Sequence, residues 1–332
     1  MLQAGRFQVR RIVFAPSAGG WRSTACSLVS RIPLVRVEPR AIAAALPWIV
    51  AGPRPTAWRD YVGEVALSAD GLVTLFHELA LTISQFGGFI GYRSDGTLRV
   101  WKRDGSGVKA ILHVMDAIRR DGVRPGLDIC NDVVRRLAPY FLDVPFAAER
   151  LAMLAELARP AARACFERIL KSARRSDGSF VFHVLHMMQL RTELPLSFGG
   201  DGAFSKKASL LLMTMEIALR DLGYRASAYT VPPADYRVPQ ILEGLGVLIL
   251  SPALAAQIEG GRVFPGHAPE VHAIRRATVD AVSRIGKALV QRSGQTVSTA
   301  ELDSRLYLLS RNTALMSGRR MKPHMLVATK AF

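Results

Sequence analysis

Two aspartates, a pair of lysines and three histidines are the side chains of this 332-residue chain whose type and spacing suit chemistry. Asp303 sits in Glu301-Leu-Asp303, at the start of a helical pattern whose apolar stripe is Leu302, Leu306 and Leu309. It lies one step around from that stripe, on the side of Tyr307 and Ser310, and so borders the core. A carboxylate there either complements the positive helix end together with Glu301, or is desolvated enough to stabilise a cationic transition state. Asp235 lies in Pro232-Pro-Ala-Asp-Tyr-Arg-Val-Pro239, a loop stiffened by its prolines. Its carboxylate either caps the turn or pairs with Arg237, or accepts hydrogen bonds from a bound polar ring. Lys206 and Lys207 open a helical segment where the macrodipole is already positive, a placement that costs roughly 0.3–1 kcal/mol per cation. They are either solvated lysines on a basic protein or part of an anion site built with the exposed N–H groups. His183 and His186, three apart, would neighbour each other on one helix face as metal ligands do, but no Asp, Glu or Cys stands at ligand spacing, so they read as ordinary helix residues. His77 beside Glu78 is equally open. No metal or redox cofactor is expected, and no Walker loop, GxGxxG, HExxH or GxSxG motif occurs.

The elements that must hold these residues are mainly helices. Val108, Ile111, Leu112, Met115 and Ile118 keep a helical rhythm that Gly122 stops, and Leu151 to Ala158 do the same before Pro160. Segment 204–222 reads as a buried helix ended by Gly223, and Ile274 to Leu289 line one face of a long helix reaching about residue 292. Ser298 and Glu301 form a capping box opening the helix of Asp303. Pro239 is expected to start a helix with Ile241, Leu242 and Leu245 inward, followed through Leu245-Gly-Val247 and Ser251-Pro252 by a second helix. Strand signals are scarce: Thr97 to Trp101 follows the turn Ser94-Asp-Gly96, with Phe89 to Tyr92 as hairpin partner. The expected architecture is mainly α, a single compact helical domain over residues 41–332 with a small β element near residues 88–102.

Composition narrows the classes. With 49% hydrophobic and 21% charged residues, the chain builds a real core, so disorder and fibrous repeats are excluded. Forty-four Lys and Arg against 27 Asp and Glu leave a charge of +17, which favours anionic partners such as nucleotides or nucleic acid. Three scattered cysteines form neither a disulfide framework nor a CxxC site, implying a reducing compartment. Apolar runs are too short to span a bilayer, so no membrane partner is expected. Residues 1–40 hold seven arginines, no lysine and the single acid Glu38. Such a basic leader suits a disordered tail, a misassigned start, or an organellar transit peptide. The location is therefore cytoplasmic, or organellar if the leader is a transit peptide.

At its centre the chain becomes recognisable. Ala234-Asp-Tyr-Arg-Val-Pro-Gln-Ile-Leu-Glu-Gly-Leu-Gly-Val-Leu248, then Glu270-Val-His and Ile274-Arg-Arg-Ala-Thr-Val279, resembles the signature of the queuosine salvage proteins, which are queuosine 5′-phosphate N-glycosylases. Phe204-Ser-Lys-Lys207 and Glu301-Leu-Asp303 resemble two further segments of that family, and the similarity runs from about residue 105 to 312. The resemblance implies a helical fold shaped like DNA glycosylases, acting as a monomer on a small nucleotide to free queuine or a related 7-deazapurine for tRNA modification. Asp303 would be the catalytic carboxylate, ionised and shielded from bulk water. Asp235, Tyr236, Pro233 and Phe86 would surround the base, and Lys206 and Lys207 would lie where the 5′-phosphate is received. The chain also departs from the family pattern. Thr82-Ile-Ser-Gln-Phe86 replaces an aromatic-rich segment, Pro233 and Asp280 replace a Phe and a Trp, and Leu308 and Thr214 stand where acids are usual. These departures imply either a different base or lost activity. Alternatives are a diverged glycosylase-like scaffold binding tRNA or DNA without catalysis, and a non-catalytic paralogue serving as a partner subunit.

Overall fold

Apolar residues recurring at three- and four-residue intervals make helices the main element of this chain. The computed structural model describes residues 33–51, 71–92, 98–102, 107–122, 131–200, 204–294, 296–311 and 321–329. All of them belong to one body, Pro33–Phe332. Of the basic leader, residues 1–32 lie outside the described residues. Its last stretch belongs to the body: Val35–Val37 is a strand, and the helix Pro39–Val50 starts with Glu38 accepting from the Arg40 N–H.

Two apolar cores organise the helices. The first gathers Gly71–Ser84, Val108–Arg120, Ala147–Leu157, Pro160–Ala173, Val184–Glu193 and Lys206–Asp221, with Phe76 stacked on Phe166 at a centroid distance of 4.9 Å. The second gathers Pro39–Val50, Arg237–Gly244, Pro269–Ser293 and Thr299–Arg311 around Ile241, Leu242, Ile285, Leu306 and Leu309. A smaller cluster sits under Pro252–Glu259. The mainly α expectation holds, and so do the expected helices near 108–120, 206–221, 269–293 and 299–311. Among the described residues no helix is long and apolar enough to cross a membrane.

The hairpin near residues 88–102 is present, Ile90–Tyr92 pairing antiparallel with Leu98–Val100, while its turn lies outside the described residues. Among the described residues, three further two-stranded ladders were not legible in the sequence. Val35–Val37 pairs antiparallel with Leu248–Leu250, Phe180–His183 parallel with Ala226–Tyr229, and Val263–Pro265 parallel with Leu326–Ala328. Strands of three or four residues are too short to show alternation, and each finds its partner far along the chain. The connection after Leu245 therefore holds the strand Leu248–Leu250 rather than a bare link between helices. The helix expected from Pro239 starts at Arg237, because the Asp235 carboxylate accepts from the N–H groups of both Arg237 (2.8 Å) and Val238 (3.1 Å). Ser298 caps the last helix, accepting from the Glu301 N–H at 3.1 Å, while the Glu301 carboxylate, expected to complete the capping box, pairs with Arg305 at 2.7 Å.

Candidate active site

A cleft opens between Phe86, Phe89 and Val108, which pack in or against the first core, and Asp235, Tyr236 and Tyr307, carried by the loop before Arg237–Gly244 and by the helix Thr299–Arg311. Two helices furnish its length. Lys206–Asp221 contributes Lys206, Leu210, Met213, Thr214 and Ile217, positions spaced to fall on one face, and Thr299–Arg311 contributes Asp303, Ser304, Tyr307 and Leu308. Of the residues singled out from the sequence, Asp303, Asp235, Tyr236, Phe86 and Lys206 line this cleft; Pro233 and Lys207 do not.

Asp303 is 8% exposed, and its Oδ1 is buried without a hydrogen-bond partner. Burial pushes its carboxyl well above the usual range, the charge of Asp235 pushes it the same way, and the Lys206 ammonium pulls it back. The expectation of a carboxylate shielded from water is met, but that shielding favours the protonated form more than the sequence suggested. Asp235 takes the capping role foreseen for it and has a second neighbour that the sequence did not suggest. Its Oδ1 caps the helix of Arg237, while its Oδ2 stands 3.8 Å from the Lys206 Nζ. Tyr236 beside it tilts against His324 at a centroid distance of 4.5 Å, and burial followed by the Asp235 charge raises its hydroxyl pKa. Behind this loop the buried Arg275 donates from Nε to the Ala234 carbonyl (2.9 Å) and lays its guanidinium 4.0 Å from the Phe204 ring centroid. It thus ties the Asp235 loop to the approach of the Lys206 helix. Arg275 falls within the quoted signature, yet nothing in the sequence alone says that its partner is a carbonyl.

The aromatic wall is held by cations. Residues 84–88 leave the helix Gly71–Ser84 with backbone carbonyls that no helical N–H can reach. Lys207 donates from Nζ to the Ser84 carbonyl (2.7 Å), and the buried Arg150 donates to the carbonyls of Gln85, Gly87 (2.7 Å) and Pro145 (2.7 Å). Arg150 also lies 5.6 Å over the Phe89 ring, and desolvation lowers its pKa to about 10. Lys207 therefore supports the wall rather than facing the cleft beside Lys206, because consecutive helix residues point about 100° apart. Gly107 adopts φ +61°, which L side chains rarely take, and a Cβ there would be in ordinary contact, 3.8 Å, with both Phe89 Cδ2 and Tyr236 Oη.

Other candidates stand apart. His183 ends a strand instead of sharing a helix face with His186; its N–H donates to His186 Nδ1 (3.0 Å), and His186 Nε2 meets Ser172 Oγ (3.1 Å). Among the described residues no cluster of three His, Cys, Asp or Glu is arranged to hold a metal. His77 is buried with its Nε2 on the Leu157 carbonyl (2.8 Å), and desolvation lowers its pKa to about 4. Asp280, where an aromatic was expected by resemblance, lies on the surface paired with Arg284 at 2.9 Å. Thr214 and Leu308, by contrast, both face the cleft.

A family model described as queuosine salvage protein matches residues 136–329. A queuosine 5′-phosphate N-glycosylase/hydrolase from Sphaerobacter thermophilus is 28% identical over 182 residues, which make up 53% of this chain and 56% of that relative. The chain thus spans about half the length of the curated relative it matches. Phe86, Phe89 and Gly107 fall before the matched region, which includes the Lys206 helix, the Asp235 loop and the Asp303 helix. With that match extending over more than half of its 332 residues, the chain belongs to the queuosine salvage protein family.

Proposed function

We propose that this chain is an N-glycosidase that hydrolyses the bond between a 7-deazapurine base, queuine or a relative of it, and ribose 5-phosphate, in queuosine salvage. The observation that carries the reading is the buried Asp303 carboxyl, its Oδ1 without a partner, in a cleft that also holds Asp235, Tyr236 and Lys206. As the bond from sugar C1′ to the base nitrogen breaks, the electron pair leaves with the base and positive charge spreads over C1′ and the ring oxygen. An ionised Asp303 facing that charge in a low-dielectric cleft stabilises it far better than a solvated carboxylate. Water then adds to C1′ and gives up a proton, which Asp303 accepts, and the base takes up a proton at the nitrogen released. Asp235, held by the helix it caps, presents Oδ2 to the N–H groups of the base. Lys206, in the first turn of its helix, receives the 5′-phosphate where ammonium and macrodipole add.

The test is incubation of the purified protein with queuosine, its 5′-phosphate and ordinary nucleotides, with free base measured by mass spectrometry. Release from a 7-deazapurine 5′-phosphate, lost in Asp303→Ala, supports the reading. Release from none of them overturns it.

A further inference from the structure

The outer face of the ladder that pairs Phe180–His183 with Ala226–Tyr229 has no part in the reaction proposed above. Strand alternation turns Phe180, Phe182, Ala226 and Ala228 into the first core, which leaves Val181, His183, Ser227 and Tyr229 on the opposite face. The parallel register sets His183 against Tyr229, with ring centroids 6.1 Å apart and planes 20° apart. His186 continues the row on the helix side, at 6.2 Å and 23° from His183. Three nearly parallel rings thus run from the buried His186 to Tyr229, which is 37% exposed. Core packing accounts for the inner end of that row and not for the outer one.

Cations gather beside the rings. Arg175 donates from Nη2 to His183 Nε2 at 2.9 Å. Residues 171–183 and 220–229, which carry the two strands and their approaches, hold Lys171, Arg174, Arg175, Arg220 and Arg225 against Asp177 and Asp221. Asp177 pairs with Arg225 at 2.8 Å, and Arg220 with the buried Glu216 at 3.0 Å. That leaves the exposed Lys171, Arg174 and Arg175 against Asp221 alone. Grooves lead away from the two ends of the second strand. One passes Ser179, Tyr224 and Arg225, and the other runs from Tyr229 past Thr230 and Pro232 to Lys287 and Gln291. The strand itself is preorganised, because the Ala228 N–H donates to Glu216 (2.7 Å) and the Thr230 N–H to Thr299 Oγ1 (3.2 Å).

An exposed ring beside cations and hydrogen-bonding grooves suits a strand whose bases are free to stack and whose phosphates meet the cations. A duplex keeps its base faces inside and can use only the cations. A second copy of this chain, itself at +17, is repelled by a basic face. We propose that this face binds single-stranded nucleic acid, with Tyr229 as the stacking residue and Arg174 and Arg175 as phosphate contacts. The inference is independent of the N-glycosidase reading, since none of these three residues lines the cleft of Asp303.

Fluorescence anisotropy tests it, using the full-length protein with labelled oligouridylate RNA and oligothymidylate DNA of about twelve nucleotides, and a duplex of the same length. The single strands are expected to bind at least about fivefold more tightly than the duplex, with a log–log salt slope of about −1.4 to −2.1, that of two or three phosphates. The first two probes also give the preference between RNA and DNA. Tyr229→Ala should weaken binding by about fivefold or more, and Tyr229→Phe, which keeps the ring, by less than about twofold. Arg174→Gln combined with Arg175→Gln should make the slope shallower by about 1.4. Failure of both single strands to bind overturns the inference, and so does binding that a folded Tyr229→Ala protein leaves unchanged. Should thermal melting show that Tyr229→Ala does not fold, the paired arginine change decides, and an unchanged slope overturns the inference. Equal affinity for the duplex reduces the face to a general anion surface and overturns it as well, as does binding of anionic phospholipid vesicles in place of the oligonucleotides.

Discussion

Replacing Asp303 by Asn should separate catalysis from stability in opposite directions. The side chain is 8% exposed, and its Oδ1 has no partner, so the carboxylate is maintained at a cost to the fold. Leaving a buried polar group unsatisfied costs about 1–3 kcal/mol, and more for a charge. Because its folded pKa is raised, Asp303 contributes stability below the unfolded value and loses it as pH rises through the folded value. Removing the ionisable group should thus stabilise the protein by about 1–3 kcal/mol at pH 8 and by less at pH 5. Catalysis should move the other way. Losing one preorganised electrostatic contact at a developing charge costs about 10²–10³ in rate, or about 3–4 kcal/mol of barrier. Single-turnover base release measured alongside thermal melting at both pH values gives the two readouts. In the unmodified protein the rate should rise with pH through an apparent pKa above the usual carboxylate range, and Lys206→Met should move that limb to higher pH. An Asp303→Asn protein that cleaves within threefold of the original rate, or that is less stable at pH 8, would refute the reasoning.

Four further outcomes are expected. Arg150→Met leaves the carbonyls of Gln85 and Gly87 unsatisfied and should cost about 3 kcal/mol in denaturant unfolding, with KM raised more than kcat is lowered because the Phe86 and Phe89 wall loosens; an unchanged KM counts against the wall. Glu216 is buried and its pKa is pushed up to about 7, chiefly by desolvation, so its contribution to stability should fall as pH rises from about 4.5 to 7. Glu216→Gln should flatten that decline, by up to about 3 kcal/mol, in melts across the window. Gly107→Ala, at φ +61°, should cost about 1–3 kcal/mol in backbone strain, as denaturant unfolding would report. Nucleotide affinity should fall only shallowly with salt, whereas a slope of several phosphates would favour the nucleic-acid-binding alternative.

Local chemistry determined much of this protein directly from its sequence. Long helices with apolar stripes, the Ser298 cap, the Gly223 stop and the Ile90–Val100 hairpin follow from interactions between residues close in the chain, which is why spacing alone reveals them. The candidates were legible too: residue type and helix position marked Asp303 and Lys206, a proline-stiffened loop marked Asp235, and the resemblance added Tyr236 and Phe86. What the sequence could not decide was direction and partnership. Lys207 differs from Lys206 only by a rotation about the helix axis, yet that rotation sends its ammonium to the Ser84 carbonyl. Arg150 and Arg275 satisfy carbonyls 65 and 41 residues away, and a carbonyl leaves no trace in the amino-acid letters. The ladder of Val35–Val37 with Leu248–Leu250 joins segments separated by most of the chain. The raised pKa of Asp303 is likewise a tertiary product: its desolvation comes from the packing of both cores around the cleft, and its electrostatics from a lysine and an aspartate carried on other elements.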